Sequence, residues 1–273
     1  MFTNYKINNP ELIETPEHLI FEEKVDHNIK SIISLVGNTD RLIPHAKTHK
    51  SKDTLKKLIN QGITRHKTST LNELEILAEC EPDSLILAYP ITSKIKSERL
   101  SKIVKKFPKT KFSTIISTKY HYDLIKDINN LDGFYIDLDT GMNRTVILRE
   151  NADELLDYIR MSKNKNLKGI HAYDGQTYGI VSVEERTLDT KKTLSDIRDV
   201  ESQIKEKFSS IGFLILNLLC LCFKSSLRLS RLPSFPIARI NTTWFSFGIL
   251  SASFTFSSLQ PPIGWVCIFN LSD

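Results

Sequence analysis

The stretch Arg41-Leu42-Ile43-Pro44-His45-Ala46-Lys47-Thr48-His49-Lys50 decides how the rest of the chain is interpreted. An apolar run comes first, and a basic segment follows it directly. If the extended conformation continues, side chains alternate, so that His45, Lys47 and His49 share one face. Partial burial and neighbouring positive charge lower a lysine pKa and yield the neutral amine that attacks an aldehyde. A basic, solvated loop after a strand would give the same pattern, so both interpretations stay open at this point.

Outward from this stretch, short apolar runs alternate with charged segments whose apolar residues recur at helical spacing, from Thr15 to Ser210. Helices are predicted over 26–35 and 53–60, and Thr70 with Glu73 forms a capping box before a third. Strands joined by helices are parallel and bury both faces. The predicted strands are 19–21, 41–46, 63–68, 84–88, 112–116, 134–137 and 169–173.

An open doubly wound sheet and a closed barrel share this alternation. No Gly-x-Gly-x-x-Gly follows any predicted strand, which removes the usual reason for choosing a dinucleotide-binding fold. The length of 273 residues fits one large α/β barrel or two ordinary domains. In a barrel, site residues lie at the carboxyl ends of the strands, where Lys47 is expected.

Composition excludes several classes of function. The chain is 40% hydrophobic and 25% charged, as in proteins that bury a real core, and a net charge of +5 is too modest to imply nucleic acid binding. The first ten residues are too polar for a signal peptide, so a reduced cytoplasmic compartment is the default expectation. Cys220 and Cys222, without further ligands at suitable spacing, are a weak metal signal.

The composition changes near Phe208, after which no acidic residue occurs before Asp273. The apolar run 211–223 has about 13 residues, against the roughly 20 needed to cross a bilayer, so a transmembrane helix is not expected. Two explanations remain open. Residues 208–273 are either a tail translated out of frame or a genuine membrane-associating or partner-binding extension.

The segment Pro44-His45-Ala46-Lys47-Thr48-His49-Lys50 resembles the Pro-His-x-Lys-Thr-His-Lys segment of D-threonine aldolases and D-serine dehydratases. These are fold type III enzymes related to the alanine racemase N-terminal barrel. The resemblance implies that Lys47 holds pyridoxal 5'-phosphate covalently. It extends, in the same order, over about 15–210. Further matching segments are 15–20, 26–29, 70–75 and 85–90.

Two later blocks carry the resemblance further. Segment 137–145 is similar to the family's Asp-x-Gly-x-x-Arg-x-Gly, which implies that Arg144 contacts the cofactor, although Val146 occupies the position of the last glycine. Segment 169–175 is similar to the family's Gly-Ile-x-Ala-Tyr-Asp-Gly-His, which implies a role for Tyr173 at the cofactor or substrate. Gln176 stands where the family has the histidine, so any acid–base role of that histidine is lost or displaced.

The resemblance implies an α/β fold, a (β/α)8 barrel of the TIM type, incomplete with about six strands in residues 1–207. The family's C-terminal β domain, which brings a divalent metal site for manganese or zinc, is not legible after Phe208, and no metal ligands are found. Intact relatives are expected to be homodimers.

The implied activity is that of a lyase acting on D-3-hydroxy amino acids, in the manner of a D-threonine aldolase that yields glycine and acetaldehyde. A D-serine dehydratase-like ammonia-lyase is one alternative. A non-catalytic cofactor-binding protein, or an inactive gene fragment with an unclosed barrel, is another.

Overall fold

The structure, a computed structural model, describes residues 9–14, 18–162, 166–208, 214–216 and 249–251. Its centre is a six-stranded sheet in the order β2-β3-β4-β5-β6-β7, in which every neighbouring pair is parallel. The order follows the chain, as a barrel requires. These strands are β2 Arg65–Thr68, β3 Ser84–Leu87, β4 Lys111–Ile116, β5 Gly133–Leu138, β6 Leu167–Ala172 and β7 Leu214–Leu216.

Helices connect the strands and cover the outside of the sheet. Five of the seven described helices begin at a serine or threonine whose hydroxyl accepts a hydrogen bond from the backbone N–H three residues on, which satisfies a donor that the helix leaves unpaired. The helices are α1 Glu22–Val36, α2 Lys52–Asn60, α3 Leu71–Ala78, α4 Lys94–Lys106, α5 Lys119–Ile125, α6 Arg149–Met161 and α7 Val183–Lys207.

The capping box predicted before α3 is confirmed. Thr70 Oγ1 accepts from Glu73 N at 3.1 Å. The Glu73 carboxylate turns back to accept from Ser69 N at 2.8 Å. The predicted helices 26–35 and 53–60 lie within α1 and α2.

Both faces of the sheet are buried, as parallel strands predict. Outward-facing residues such as Leu85 and Leu87 pack in the large core beneath the helices. Alternate residues point inward, where Ile43, Ile86 and Ile115, together with Tyr135, form a separate buried cluster. The described strands therefore make an incomplete (β/α)8 barrel with an apolar cluster on its inner face.

Two predicted strands differ from expectation. The stretch 41–46 forms no strand, although Lys67 N donates to Pro44 O at 2.9 Å and His45 bridges Lys67 in parallel, so it lines the edge of β2. The predicted strand 19–21 appears as β1, His18–Ile20, which pairs antiparallel with β8, Ile249–Ser251, outside the parallel sheet.

The strand β7 lies within the apolar run 211–223 and extends the sheet beyond β6. Residues 209–213, 217–248 and 252–273, with Cys220, Cys222 and Cys267, lie outside the described part of the chain. The boundary between residues 207 and 208 therefore stays a prediction. Within the described residues, no helix combines the length and apolarity that crossing a membrane requires.

Candidate active site

The basic segment after Pro44 leaves the extended conformation at once. A 3-10 helix, Ala46–Thr48, follows His45, whose Nδ1 accepts a hydrogen bond from Lys47 N at 3.2 Å. His49 Nδ1 likewise accepts from Ser51 N at 3.0 Å. The prediction that the lysine and the two histidines share one strand face is wrong, because both imidazoles turn back to cap the local backbone.

Both imidazoles are neutral at pH 7. Burial is the main cause that holds the pKa of His45 far below its usual value and lowers the pKa of His49 to about 4. Because His45 Nδ1 accepts, its Nε2 carries the proton and faces Ser69 Oγ at 3.3 Å. These histidines therefore position the segment and add no positive charge beside Lys47.

Lys47 is solvent-accessible at the carboxyl-terminal mouth of the barrel. Partial burial of its amine lowers the pKa first, and the positive charge of Arg144 lowers it further, while Glu73 acts in the opposite direction. Glu73 is buried and is held by Ser69 N and by an ion pair with Lys50 at 3.5 Å. The result is an accessible lysine with an increased fraction of the nucleophilic, neutral amine.

Arg144 lies on the loop after β5, opposite the loop after β6. Its guanidinium stands 5.3 Å from the ring centroid of Tyr173, a cation–π contact that links the two loops. Tyr173 is half-buried, and burial raises the pKa of its hydroxyl. A cation and a phenol therefore lie together on the loops after β5 and β6, and the charge of Arg144 acts on Lys47.

In the loop that carries Arg144, the chain turns at Gly141 and Asn143 and not at Val146. Gly141 and Asn143 have φ values of 114° and 51°, whereas Val146 has no positive φ. The loop then rejoins β5, where Ile147 N donates to Asp137 O and Asp139 N to Ile147 O, each at 2.8 Å. A glycine is thus not needed at position 146.

Gln176 is tied away from the mouth. Its Nε2 donates to Asp189 Oδ2 at 3.0 Å and to Thr193 Oγ1 at 3.1 Å, both on α7. Its Oε1 accepts from Thr140 at 3.3 Å. Gln176 therefore joins the loop after β5 to α7, and this amide supplies no acid–base group.

Deeper in the barrel, Asp137 and His171 form a buried pair. They are opposite each other in the register of β5 and β6, and His171 Nδ1 donates to Asp137 Oδ1 at 2.6 Å. The second carboxylate oxygen accepts from Thr145 Oγ1 at 3.4 Å. Burial lowers the pKa of His171 although Asp137 opposes this, so the neutral form of the ring is favoured.

Lys67 on β2 completes the interior. Its side chain is fully buried, and its Nζ has no hydrogen-bond partner within the described ranges. It is in register with Ile86 on one side and His45 on the other, which directs it inward. Burial, and then the positive charge of Lys47, hold its pKa well below the ordinary value of 10.5, while Asp137 raises it.

Lys67, Asp137 and His171 were not assigned a role by the sequence analysis. One signal was present, since a charged residue inside a strand buried on both faces requires an explanation. The pairing of Asp137 with His171 had no such signal, because it depends on the register of two strands 34 residues apart.

Gly175 allows the ring of Tyr173 to take its position. A Cβ at residue 175 would lie 2.3 Å from Tyr173 Cε1 and 2.8 Å from Met142 Sδ. We expect Gly175→Ala to displace the ring and to destabilise the fold by about 1–3 kcal/mol, as overpacking does. Urea unfolding measures this. Gly179→Ala is the matched control, because a Cβ there meets nothing within 4 Å, and equal effects of the two variants would contradict the prediction.

Within the described residues, no group of three or more His, Cys, Asp and Glu side chains is arranged to hold a metal ion. Cys80 is half-buried and free, and burial raises the pKa of its thiol.

These features define a β/α barrel protein with an accessible amine at its mouth and buried ionisable groups beneath it. The sequence profile described as "Alanine racemase, N-terminal domain" matches residues 20–212. The chain belongs to this family. No curated protein sequence matches the chain significantly.

Solved structures with the same fold include three enzyme or enzyme-like proteins. D-threonine aldolase from Filomicrobium marinum is 14% identical, with a TM-score of 0.65 over 74% of this chain and 56% of that one. An alanine racemase-like protein from Idiomarina loihiensis is 20% identical, with a TM-score of 0.60 over 71% and 52%. D-threo-3-hydroxyaspartate dehydratase from Delftia sp. HT23 is 18% identical, with a TM-score of 0.59 over 72% and 52%. At these identities the likeness concerns the fold, and this chain spans about half the length of each.

Proposed function

We propose that this chain binds pyridoxal 5'-phosphate covalently through Lys47. The observation that carries the proposal is an accessible lysine, with a lowered pKa, at the carboxyl-terminal mouth of a β/α barrel. The resemblance of segment 44–50 to the cofactor-binding segment of D-threonine aldolases and D-serine dehydratases supports the same residue.

The residues at the mouth fit this cofactor. Arg144 supplies a guanidinium for an anionic oxygen, and Tyr173 supplies a hydroxyl and an aromatic face. The fully buried, unpartnered amine of Lys67 shows that the interior offers a further donor. When bound, the cofactor supplies an aldehyde that condenses with amines and a ring that accepts electrons. Lys47, Arg144 and Tyr173 are proposed to hold it.

The proposed substrate class is D-3-hydroxy amino acids, and the proposed reaction is that of a D-threonine aldolase. Two of the structural neighbours named above, D-threonine aldolase and D-threo-3-hydroxyaspartate dehydratase, take such compounds by name. An ammonia-lyase of the D-serine dehydratase kind is the second candidate. Because this chain spans about half of those proteins, a non-catalytic cofactor-binding protein or an inactive fragment is the remaining candidate.

Borohydride reduction tests the proposed attachment. The purified chain is mixed with pyridoxal 5'-phosphate, its absorbance is recorded, and the reduced protein is digested and mapped by mass spectrometry. We expect a visible absorbance band and a stable label on Lys47, both lost in Lys47→Ala. Lys50→Ala is the matched control, because Lys50 lies in the same segment, is exposed and pairs with Glu73. A folded chain that stays unlabelled at Lys47 in excess cofactor would refute the proposal.

Turnover separates the candidate functions. The loaded chain is incubated with D-threonine or D-serine and added Mn²⁺ or Zn²⁺, and acetaldehyde, pyruvate and ammonia are measured. Acetaldehyde and glycine from D-threonine would support the aldolase, and ammonia from D-serine would support the dehydratase. Labelling of Lys47 without turnover of either compound would leave the binding function and exclude both activities for this chain.

A further inference from the structure

The buried amine of Lys67 forms no hydrogen bond with any described residue. A lysine side chain is almost never fully buried without a partner, because its amine loses its water and receives nothing in return. Lys67 is 0% exposed, and no described residue accepts a hydrogen bond from its Nζ. Such a group requires a physical explanation.

The ionisable groups around Lys67 include only one carboxylate, that of Asp137. His45 and Lys47 face it from the adjoining segment, Asp137 from β5 and His171 from β6, while β3 and β4 present the apolar side chains of Ile86 and Ile115. Burial lowers the pKa of both His45 and His171, so both rings favour the neutral form. Burial also raises the pKa of the Tyr135 hydroxyl in the layer beneath.

Asp137 does not satisfy Lys67. Its two carboxylate oxygens are engaged by His171 at 2.6 Å and by Thr145 at 3.4 Å. The interior therefore contains one amine without a described partner, Lys67, beside a carboxylate that already has its partners. An oxyanion that entered from the mouth would find an unused donor at Lys67.

We propose that Lys67 is a second ligand-binding amine. It donates a hydrogen bond to an anionic oxygen of the aldehyde cofactor that Lys47 binds covalently, on either the phosphate or the phenolic group of the ring. This inference rests on the proposed function. Lys47 is accessible and reacts with the aldehyde carbon, whereas Lys67 is enclosed and donates a hydrogen bond. In this proposal Lys47 binds the ligand covalently, and Lys67 recognises its negative charge.

Binding is coupled to proton uptake. Burial, and then the charge of Lys47, lower the pKa of Lys67 in the ligand-free chain and so disfavour its ammonium form. An oxyanion favours the ammonium form, so binding raises the pKa of Lys67 and is accompanied by net proton uptake. The complete ammonium–oxyanion contact is then a charge-assisted hydrogen bond.

The experiment removes the covalent step to isolate this contact. In a Lys47→Ala background, non-covalent binding of pyridoxal 5'-phosphate and of pyridoxal is measured calorimetrically at pH 8 in two buffers of different ionisation enthalpy. The same titrations are made after adding Lys67→Met or Lys67→Gln. Gln keeps a donor but cannot take up a proton. Lys102→Met, at an exposed position on α4, is the matched control.

We expect Lys67→Met to weaken binding of pyridoxal 5'-phosphate at least tenfold, the loss of one hydrogen bond to a charged group, and to abolish proton uptake. Lys67→Gln should abolish the uptake with a smaller loss of affinity. A loss of affinity confined to pyridoxal 5'-phosphate identifies the phosphate as the group that Lys67 contacts. A loss of affinity for pyridoxal as well identifies the phenolic oxygen.

Unchanged affinity and proton uptake in the Lys67 variants would overturn the inference, as would the absence of any binding in the Lys47→Ala background. Neither result bears on the labelling of Lys47 in the unmodified chain. The failure of this inference can therefore be told apart from the failure of the proposed function.

Discussion

Replacing Asp137 with alanine is expected to lower the free energy of unfolding by about 3 kcal/mol, the usual cost of removing one member of a buried polar pair. The carboxylate is 4% exposed and accepts from His171 and Thr145. Without it, the hydrogen bond from His171 Nδ1 at 2.6 Å is lost, together with the negative charge that raises the pKa of Lys67. Urea unfolding monitored by circular dichroism measures the change.

Two further variants define the cause of this effect. Asp137→Asn keeps an oxygen that can accept from His171 and should lose less stability than the alanine variant. Asp127→Ala removes an exposed carboxylate on the surface and should change the unfolding free energy by less than about 0.5 kcal/mol. If Asp137→Ala behaved like Asp127→Ala, the buried pair would contribute nothing measurable to the fold.

Lys67→Met is expected to stabilise the chain at pH 7 by about 2 kcal/mol, an unusual direction for a change in the interior. Methionine matches the length of the lysine stem, so packing is retained, and it removes an amine that pays a desolvation cost without a hydrogen bond. Lys102→Met should be close to neutral. Destabilisation by Lys67→Met at pH 7 would mean that the amine has a favourable partner in the folded chain.

The gain depends on pH, with a sign that follows from the direction of the pKa shift. Lys67 has a pKa well below 10.5 when folded, so between its folded pKa and 10.5 the unfolded chain binds a proton that the native chain does not. The cost to the wild type is fully present below the folded pKa and disappears as pH rises through 10.5. The stability difference between Lys67→Met and the wild type should therefore shrink between pH 7 and pH 10.5, as measured by unfolding at both values.

The second of these predictions concerns a residue, Lys67, that serves binding rather than folding in our proposal. A stabilising Lys67→Met that also weakens the binding of pyridoxal 5'-phosphate would be a direct trade of stability for ligand recognition. Such trades are common where a site stores an unsatisfied polar group.

Much of the fold could be predicted from the sequence, because its signals are local. Apolar periodicity separates helix from strand, and Thr70 and Glu73 mark a helix start through contacts within five residues. Strands joined by helices have to be parallel. The motif around Lys47 also predicted a strand directly before the lysine, but residues 41–46 form no strand and instead line the edge of β2.

The conformation of that motif could not be predicted in the same way. Alternation assumes that the strand continues, but His45 and His49 accept hydrogen bonds from nearby backbone N–H groups and favour a turn. Similarly, only the structure shows that Gln176 donates hydrogen bonds to α7, because its partners lie 13 and 17 residues further along the chain.

The sequence by itself determined the class of fold, the family resemblance and Lys47 as the candidate amine, since period, capping and motif are properties of neighbouring residues. Only the tertiary structure decided which ionisable groups meet in the interior. Lys67, Asp137 and His171 lie on β2, β5 and β6, and strand register and barrel curvature bring them together, neither of which can be read from any one segment. Enclosure by the barrel then removes water from these groups and changes their pKa values.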